Sequence, residues 1–216
     1  MELLRDMVAR RQVELFGAGD TEPVLAVIPN RDRTGQIDAF SDKLSATLGQ
    51  RPQGAWLTER VWESTVIPAL ATCGIRYVTV DDYHFLCAGK TPEALNGYYT
   101  TEEDSHKLDL FPISEPLRYK IPFSPVEDVI AYLESLADHS EPHMRAAAIY
   151  FDDIEKFGIW PETYQWVYEK GWLERFIQGV LASPKISPQH YSEYHASEKT
   201  RGIVYLPTVS YIEMNE

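Results

Sequence analysis

Cysteine is scarce in this chain, and positive charge is outweighed. Cys73 and Cys87 are the only two cysteines among 216 residues. Two thiols do not staple a fold, and no His or Cys stands at metal-site spacing. They read as reduced residues, which predicts a cytoplasmic protein. No run approaches the roughly 20 apolar residues of a membrane span, and the opening Met-Glu-Leu-Leu-Arg-Asp-Met-Val-Ala-Arg is no signal peptide. Twenty Lys and Arg stand against 33 Asp and Glu, a net charge of −13. That balance disfavours nucleic acid and anionic membranes, since both are held by cations. A neutral small-molecule substrate is the easier reading. There is also no internal repeat, low-complexity tract or linker.

The composition is otherwise that of a soluble globular protein, enough for one domain over residues 1–216. Aromatics are plentiful, with 5 Trp, 13 Tyr and 8 Phe, which suits a heavy core or a carbohydrate cleft. Helix and strand patterns alternate, which argues for a parallel α/β sheet. Strands are expected at 13–16, 54–58, 75–80, 146–151 and 202–206. Helices are expected at 1–11, 36–48, 65–72 and from Ser124-Pro-Val-Glu127 to about 137. Another is expected from Pro161 to about 181. Residues 81–116 read as a long irregular segment, and so as a functional loop.

Two acidic clusters carry the chemistry. The first is Trp56-Leu-Thr-Glu-Arg-Val-Trp-Glu63, the second Phe151-Asp-Asp-Ile-Glu-Lys-Phe-Gly-Ile-Trp160. Cleaving a glycosidic bond needs one ionised and one protonated carboxyl group, with aromatic faces to stack on pyranose rings. Glu59 fits the ionised role, because the neighbouring Arg60 favours its charged form. The plain alternative is a surface ion pair of Glu59 with Arg60. Asp152, Asp153 and Glu155 crowd together, which favours keeping one of them protonated. The plain alternative there is a solvated turn with a helix-capping aspartate. Asp81, Asp82 and His84 suit sugar hydroxyls or loop capping better than zinc, because the sequence places no further convergent ligand. Glu22, after Gly17 and Gly19, either reaches a site or faces solvent. The predicted strands place Glu22, Glu59, Asp82 and Asp153 at or beyond carboxyl ends, where α/β folds bind ligands.

These motifs resemble the catalytic domain of family 57 glycoside hydrolases, in the 4-α-glucanotransferase and α-amylase branch. The resemblance covers nearly the whole chain. Its strongest stretches are 54–63, 77–85, 110–125, 151–169 and 205–216. It implies a seven-stranded (β/α) barrel of the TIM type, of which this chain is an internal piece, incomplete at both ends. It implies a retaining mechanism on α-1,4-glucans, with Glu59 the nucleophile and Asp153 the general acid/base. Retention predicts carboxyl groups roughly 5–5.5 Å apart. Glu22 and Glu155 match positions that hold sugar hydroxyls, and Trp56 and Trp160 match stacking aromatics. The branch implies no metal and no organic cofactor. Departures are a missing histidine-bearing first strand, Ser64 in place of a usual Pro, and Ile154 in place of a usual Gly. A β-branched residue there is expected to restrict the backbone. The isolated 216 residues are expected to be inactive. A non-catalytic glucan-binding module and a zinc glycosidase using Asp82 and His84 are the competing readings.

Overall fold

A computed structural model describes residues 1–140 and 143–211. The chain divides into two compact units: Met1–Pro112 with the segment from His190 onward, and Ile113–Gln189. No helix among the described residues is long and apolar enough to cross a membrane.

The first unit is built on a five-stranded sheet in the order β1-β2-β3-β5-β4. These strands are β1 (Phe16–Gly17), β2 (Gly54–Trp56), β3 (Tyr77–Asp81), β4 (Tyr99–Glu103) and β5 (His106–Ile113). β1, β2 and β3 run parallel, with Gly54 opposite Phe16 and Tyr77. All five residues of β3 are buried, as expected of a strand covered on both faces. Gly54 is needed where it stands, because a Cβ there would lie 2.4 Å from the Tyr77 ring. Helix α1 (Glu2–Ala9) precedes β1, and α2 (Asn30–Leu48), α3 (Ile67–Thr72) and α4 (Asp82–Cys87) lie in the connections between successive strands. The apolar core includes Ile37, Leu57, Trp62, Leu70, Val80 and Leu110. α8 (Tyr191–Ser197) completes the unit. Its His195 Nε2 lies 2.6 Å from Asp109 Oδ2 on β5.

The second unit holds α5 (Glu115–Lys120), α6 (Val126–Ala137) and α7 (Trp172–Ala182). Leu117, Val129 and the fully buried Trp172 centre its core. Trp172 donates its indole N–H to Ser124 O at 2.7 Å.

The α/β class follows the expectation. Among the described residues the sheet has five strands, fewer than the seven of a complete barrel. Several local expectations need correction. Residues 81–116 are not an irregular loop: they hold α4, a β-hairpin and the start of α5. The hairpin turns on Asp104 and Ser105, both at positive φ (48° and 63°), between the paired Glu103 and His106. A two-residue turn with both φ positive normally advertises itself with glycine, and here it does not. Residues 146–151 form no strand. Ile149 O accepts one bond from Ser114 N–H at 2.9 Å. Residues 202–206 keep a strand's alternation, with Val204 and Leu206 buried and Ile203 and Tyr205 exposed. They join the sheet by a single bridge, Thr100 to Ile203. The helix expected over 161–181 is broken: a π-turn at Gln165–Glu169 ends at Gly171, whose φ of 68° starts α7 afresh. β1 starts at Phe16, so the short strand is shifted from 13–16, and α2 begins six residues earlier than the expected 36.

Candidate active site

The first acidic cluster follows the carboxyl end of β2. Leu57 enters the core, and a 3₁₀ turn, Thr58–Arg60, then reverses the chain. Glu59 (φ 54°, ψ 21°) and Arg60 (φ 50°) are consecutive left-handed residues without glycine. Such a conformation costs about 1–3 kcal/mol per residue and persists only where its surroundings impose it. The surroundings are specific. The Arg60 side chain is buried, its Nε 3.3 Å from Asp81 Oδ2 at the end of β3. Its guanidinium lies 4.2 Å from the centre of the Tyr211 ring. Tyr211 donates its hydroxyl to Glu59 Oε2 at 3.0 Å. Ser210 donates its hydroxyl to Glu59 O at 2.9 Å. Just before them, Val209 and Trp62 exchange backbone hydrogen bonds at 3.0 and 3.3 Å. The result is an exposed Glu59 carboxylate on a turn pinned from below. The expected surface pair of Glu59 with Arg60 is replaced by a buried pair of Arg60 with Asp81.

Trp56 ends β2 half-buried, and Asp82 opens α4 partly exposed. His84 departs from the expectation. Its ring is fully buried, with Nδ1 3.0 Å from Asp81 O and Nε2 2.9 Å from Val209 O. Both nitrogens face backbone carbonyls, so His84 braces the turn and does not reach for a sugar. Burial holds its pKa below 6.5. Among the described residues no three His, Cys, Asp or Glu side chains gather as a metal site would require. Glu22 is exposed at φ 49°, closing a turn on Gly19 O at 3.0 Å.

The second cluster belongs to the second unit and separates its two aspartates sharply. The Asp152 side chain is 1% exposed and sits between two buried cations. Arg118 Nε is 3.4 Å from Oδ1, and Lys156 Nζ bonds Oδ2. Lys156 also donates to Arg118 O at 2.9 Å, which closes the group. Burial and the Asp152 charge together push the nearby Tyr150 hydroxyl up, keeping it neutral. Asp153, by contrast, is exposed, and its N–H donates to Asp152 Oδ1 at 2.9 Å. Asp152 therefore anchors the backbone from which Asp153 projects. Glu155 is exposed on the following 3₁₀ turn, Ile154–Phe157, and its carbonyl accepts the Trp160 N–H at 3.1 Å. Trp160 is 40% exposed and stacks on Phe123 at 6.1 Å and 18°. The restriction expected of Ile154 does not arise. The left-handed residue of this stretch is Gly158, at φ 130°, and Ile154 is 79% exposed on the turn.

Sequence reasoning missed Arg118 and Tyr211. Each meets its carboxylate from far along the chain, by 34 and 152 positions respectively. No local pattern marks such a partner.

Comparison with known proteins places the chain in a family. The profile of the family described as glycosyl hydrolase family 57 matches residues 1–207. A 4-alpha-glucanotransferase of Thermococcus litoralis is 48% identical over 216 residues, all of this chain and 32% of that protein. An alpha-amylase of Pyrococcus furiosus is 49% identical over the same length, 33% of its own. The chain thus spans about a third of these curated relatives. The crystal structure of the Thermococcus litoralis enzyme superimposes with a TM-score of 0.93 over 99% of this chain and 33% of that one. The alpha-amylase AmyC of Thermotoga maritima shares the fold at a TM-score of 0.79, with 16% identity over 99% of this chain and 54% of that one.

Proposed function

The chain belongs to glycosyl hydrolase family 57, and from that premise we propose that residues 1–216 form part of the catalytic domain of a retaining enzyme acting on α-1,4-glucans. Its favoured reaction is chain transfer, that of a 4-α-glucanotransferase, with α-amylase-type hydrolysis the second reading. Relatives under both names match at nearly equal identity. The observation that carries the proposal is that the two motif carboxylates, Glu59 and Asp153, are each exposed, and that Glu59 is held by Tyr211.

Asp153, as the acid, gives its proton to the glycosidic oxygen. Glu59 attacks the anomeric carbon as that C–O bond breaks, and a glucosyl ester forms. Asp153, now a carboxylate, takes a proton from the acceptor hydroxyl. The acceptor oxygen then displaces Glu59 with a second inversion, so the anomeric configuration is retained. Water as acceptor gives hydrolysis, and the 4-hydroxyl of another glucan gives transfer. Glu22, Glu155, Asp82, Trp56 and Trp160 are assigned to sugar contacts, and the free cysteines suit a cytoplasmic enzyme. The burial of Asp152 supports this division, since its carboxylate is closed off between two cations while that of Asp153 is exposed.

The test is to incubate the full-length protein with maltotriose and separate products by length. Longer oligomers with glucose mean transfer, and glucose and maltose alone mean hydrolysis. Absence of turnover would move the reading to a glucan-binding module. Activity is further expected to need the full-length protein, and turnover by residues 1–216 alone would overturn that part.

A further inference from the structure

Resting on the reading of Glu59 as nucleophile, we infer that Tyr211 is its positioning residue, which fixes one carboxylate oxygen so that the other attacks. Three observations converge on this tyrosine. Its hydroxyl donates to Glu59 Oε2 at 3.0 Å. Its ring is held 4.2 Å from the Arg60 guanidinium. Its backbone follows directly on Ser210 and Val209, which bond Glu59 O and Trp62. The tyrosine thus grips the same turn from ring, hydroxyl and main chain.

The chemistry has a direction. The hydrogen bond removes one of the two carboxylate oxygens from competition, which leaves Oε1 as the attacking atom. Arg60 does not perform this task, since its charge is committed to Asp81 at 3.3 Å. Among the described residues, further titratable groups at the turn are Asp81, 3.3 Å from Arg60, and His84, which braces Val209 at 2.9 Å. Tyr211→Phe leaves all of these in place and keeps the ring over Arg60.

In the full-length protein, Tyr211→Phe is expected to lower kcat roughly 10–100-fold, the span of one hydrogen bond to a charged group, with KM little changed. The split is the discriminating readout, since a purely structural tyrosine would lower the melting temperature and leave kcat and KM of the folded enzyme unchanged. Wild-type kcat overturns the inference. If Tyr211→Phe does not fold, a fluorinated tyrosine incorporated at position 211 takes its place. It keeps the ring and alters the strength of the donor, so kcat should change with KM little moved, and an unchanged kcat is again fatal. Glu59→Ala separates this inference from the reading beneath it. Azide should restore cleavage of an activated α-glucoside by Glu59→Ala and give a glycosyl azide of inverted configuration. If Glu59→Ala retains wild-type turnover, the nucleophile assignment itself fails. If it is inactive and rescued while Tyr211→Phe behaves as wild type, only the role of Tyr211 fails.

Discussion

The two acidic clusters hold an exposed carboxylate in opposite ways. Around Glu59 the backbone itself is unfavourable, two left-handed residues in a row, and the carboxylate receives a neutral hydroxyl. Around Asp153 the backbone is relaxed (φ −70°), and the rigidity comes from charge buried one residue earlier, in Arg118, Asp152 and Lys156. The first arrangement aims its carboxylate through the turn. The second matches the fixed charges to Asp152 and leaves Asp153 to solvent. Strain and buried ion pairs both cost stability: the first cluster carries the left-handed turn together with the Arg60–Asp81 pair, and the second rests on the charges around Asp152.

The comparison breaks most decisively on a change of leaving group. Glu59→Gln should lower kcat on maltotriose by roughly 10⁴-fold or more, the scale seen when a covalent nucleophile is removed. Asp153→Asn should cost about 10²–10⁴-fold. With α-glucosyl fluoride, whose leaving group needs no acid, only Asp153→Asn should regain formation of the glucosyl ester. Equal recovery of both variants would sink the division of roles.

Asp152→Ala tests the buried charges. It leaves Arg118 and Lys156 without their shared anion, and should lower stability by about 3–5 kcal/mol in denaturant unfolding. A loss under 1 kcal/mol would mean that the group is solvated and does not anchor Asp153. The brace at His84 should show a smaller effect, dependent on pH. Because burial holds its folded pKa below 6.5, the unfolded chain takes the proton first. Its contribution is therefore intact above 6.5 and is lost as pH falls from 6.5 towards the lower folded pKa. Melting curves of His84→Asn between pH 8 and pH 5 should show a shallower decline than wild type. The smallest effect is expected at Ile154. Ile154→Gly adds backbone freedom at an exposed turn position, and should cost about 0.5–1 kcal/mol while leaving kcat unchanged. A gain in kcat would show that the residue does restrict the second cluster.

What the sequence made legible was local. Glu59 and Asp153 stand in short acidic motifs that carry the family resemblance, and the α/β alternation follows from β-rich runs such as Tyr77–Asp81. What it hid was long-range or atypical. Asp104 and Ser105 form a turn that glycine usually signals, so a hairpin read as a loop. His84 looked like a ligand because neither its burial nor its carbonyl partners can be read from neighbouring residues. Residues 146–151 looked like a strand because apolar β-formers state a preference, while a strand also needs a ladder.

The Tyr211 contact also sets a timetable for synthesis. Glu59 waits for a partner 152 positions later in the chain. At about 5–20 residues per second that is a delay on the order of 8–30 s. The second unit, one contiguous run ending at Gln189, leaves the ribosome whole while the first still lacks its closing segment. The nascent protein therefore owns the scaffold around Asp153 before it owns a finished turn at Glu59, and a stop codon between them would leave the latter permanently slack.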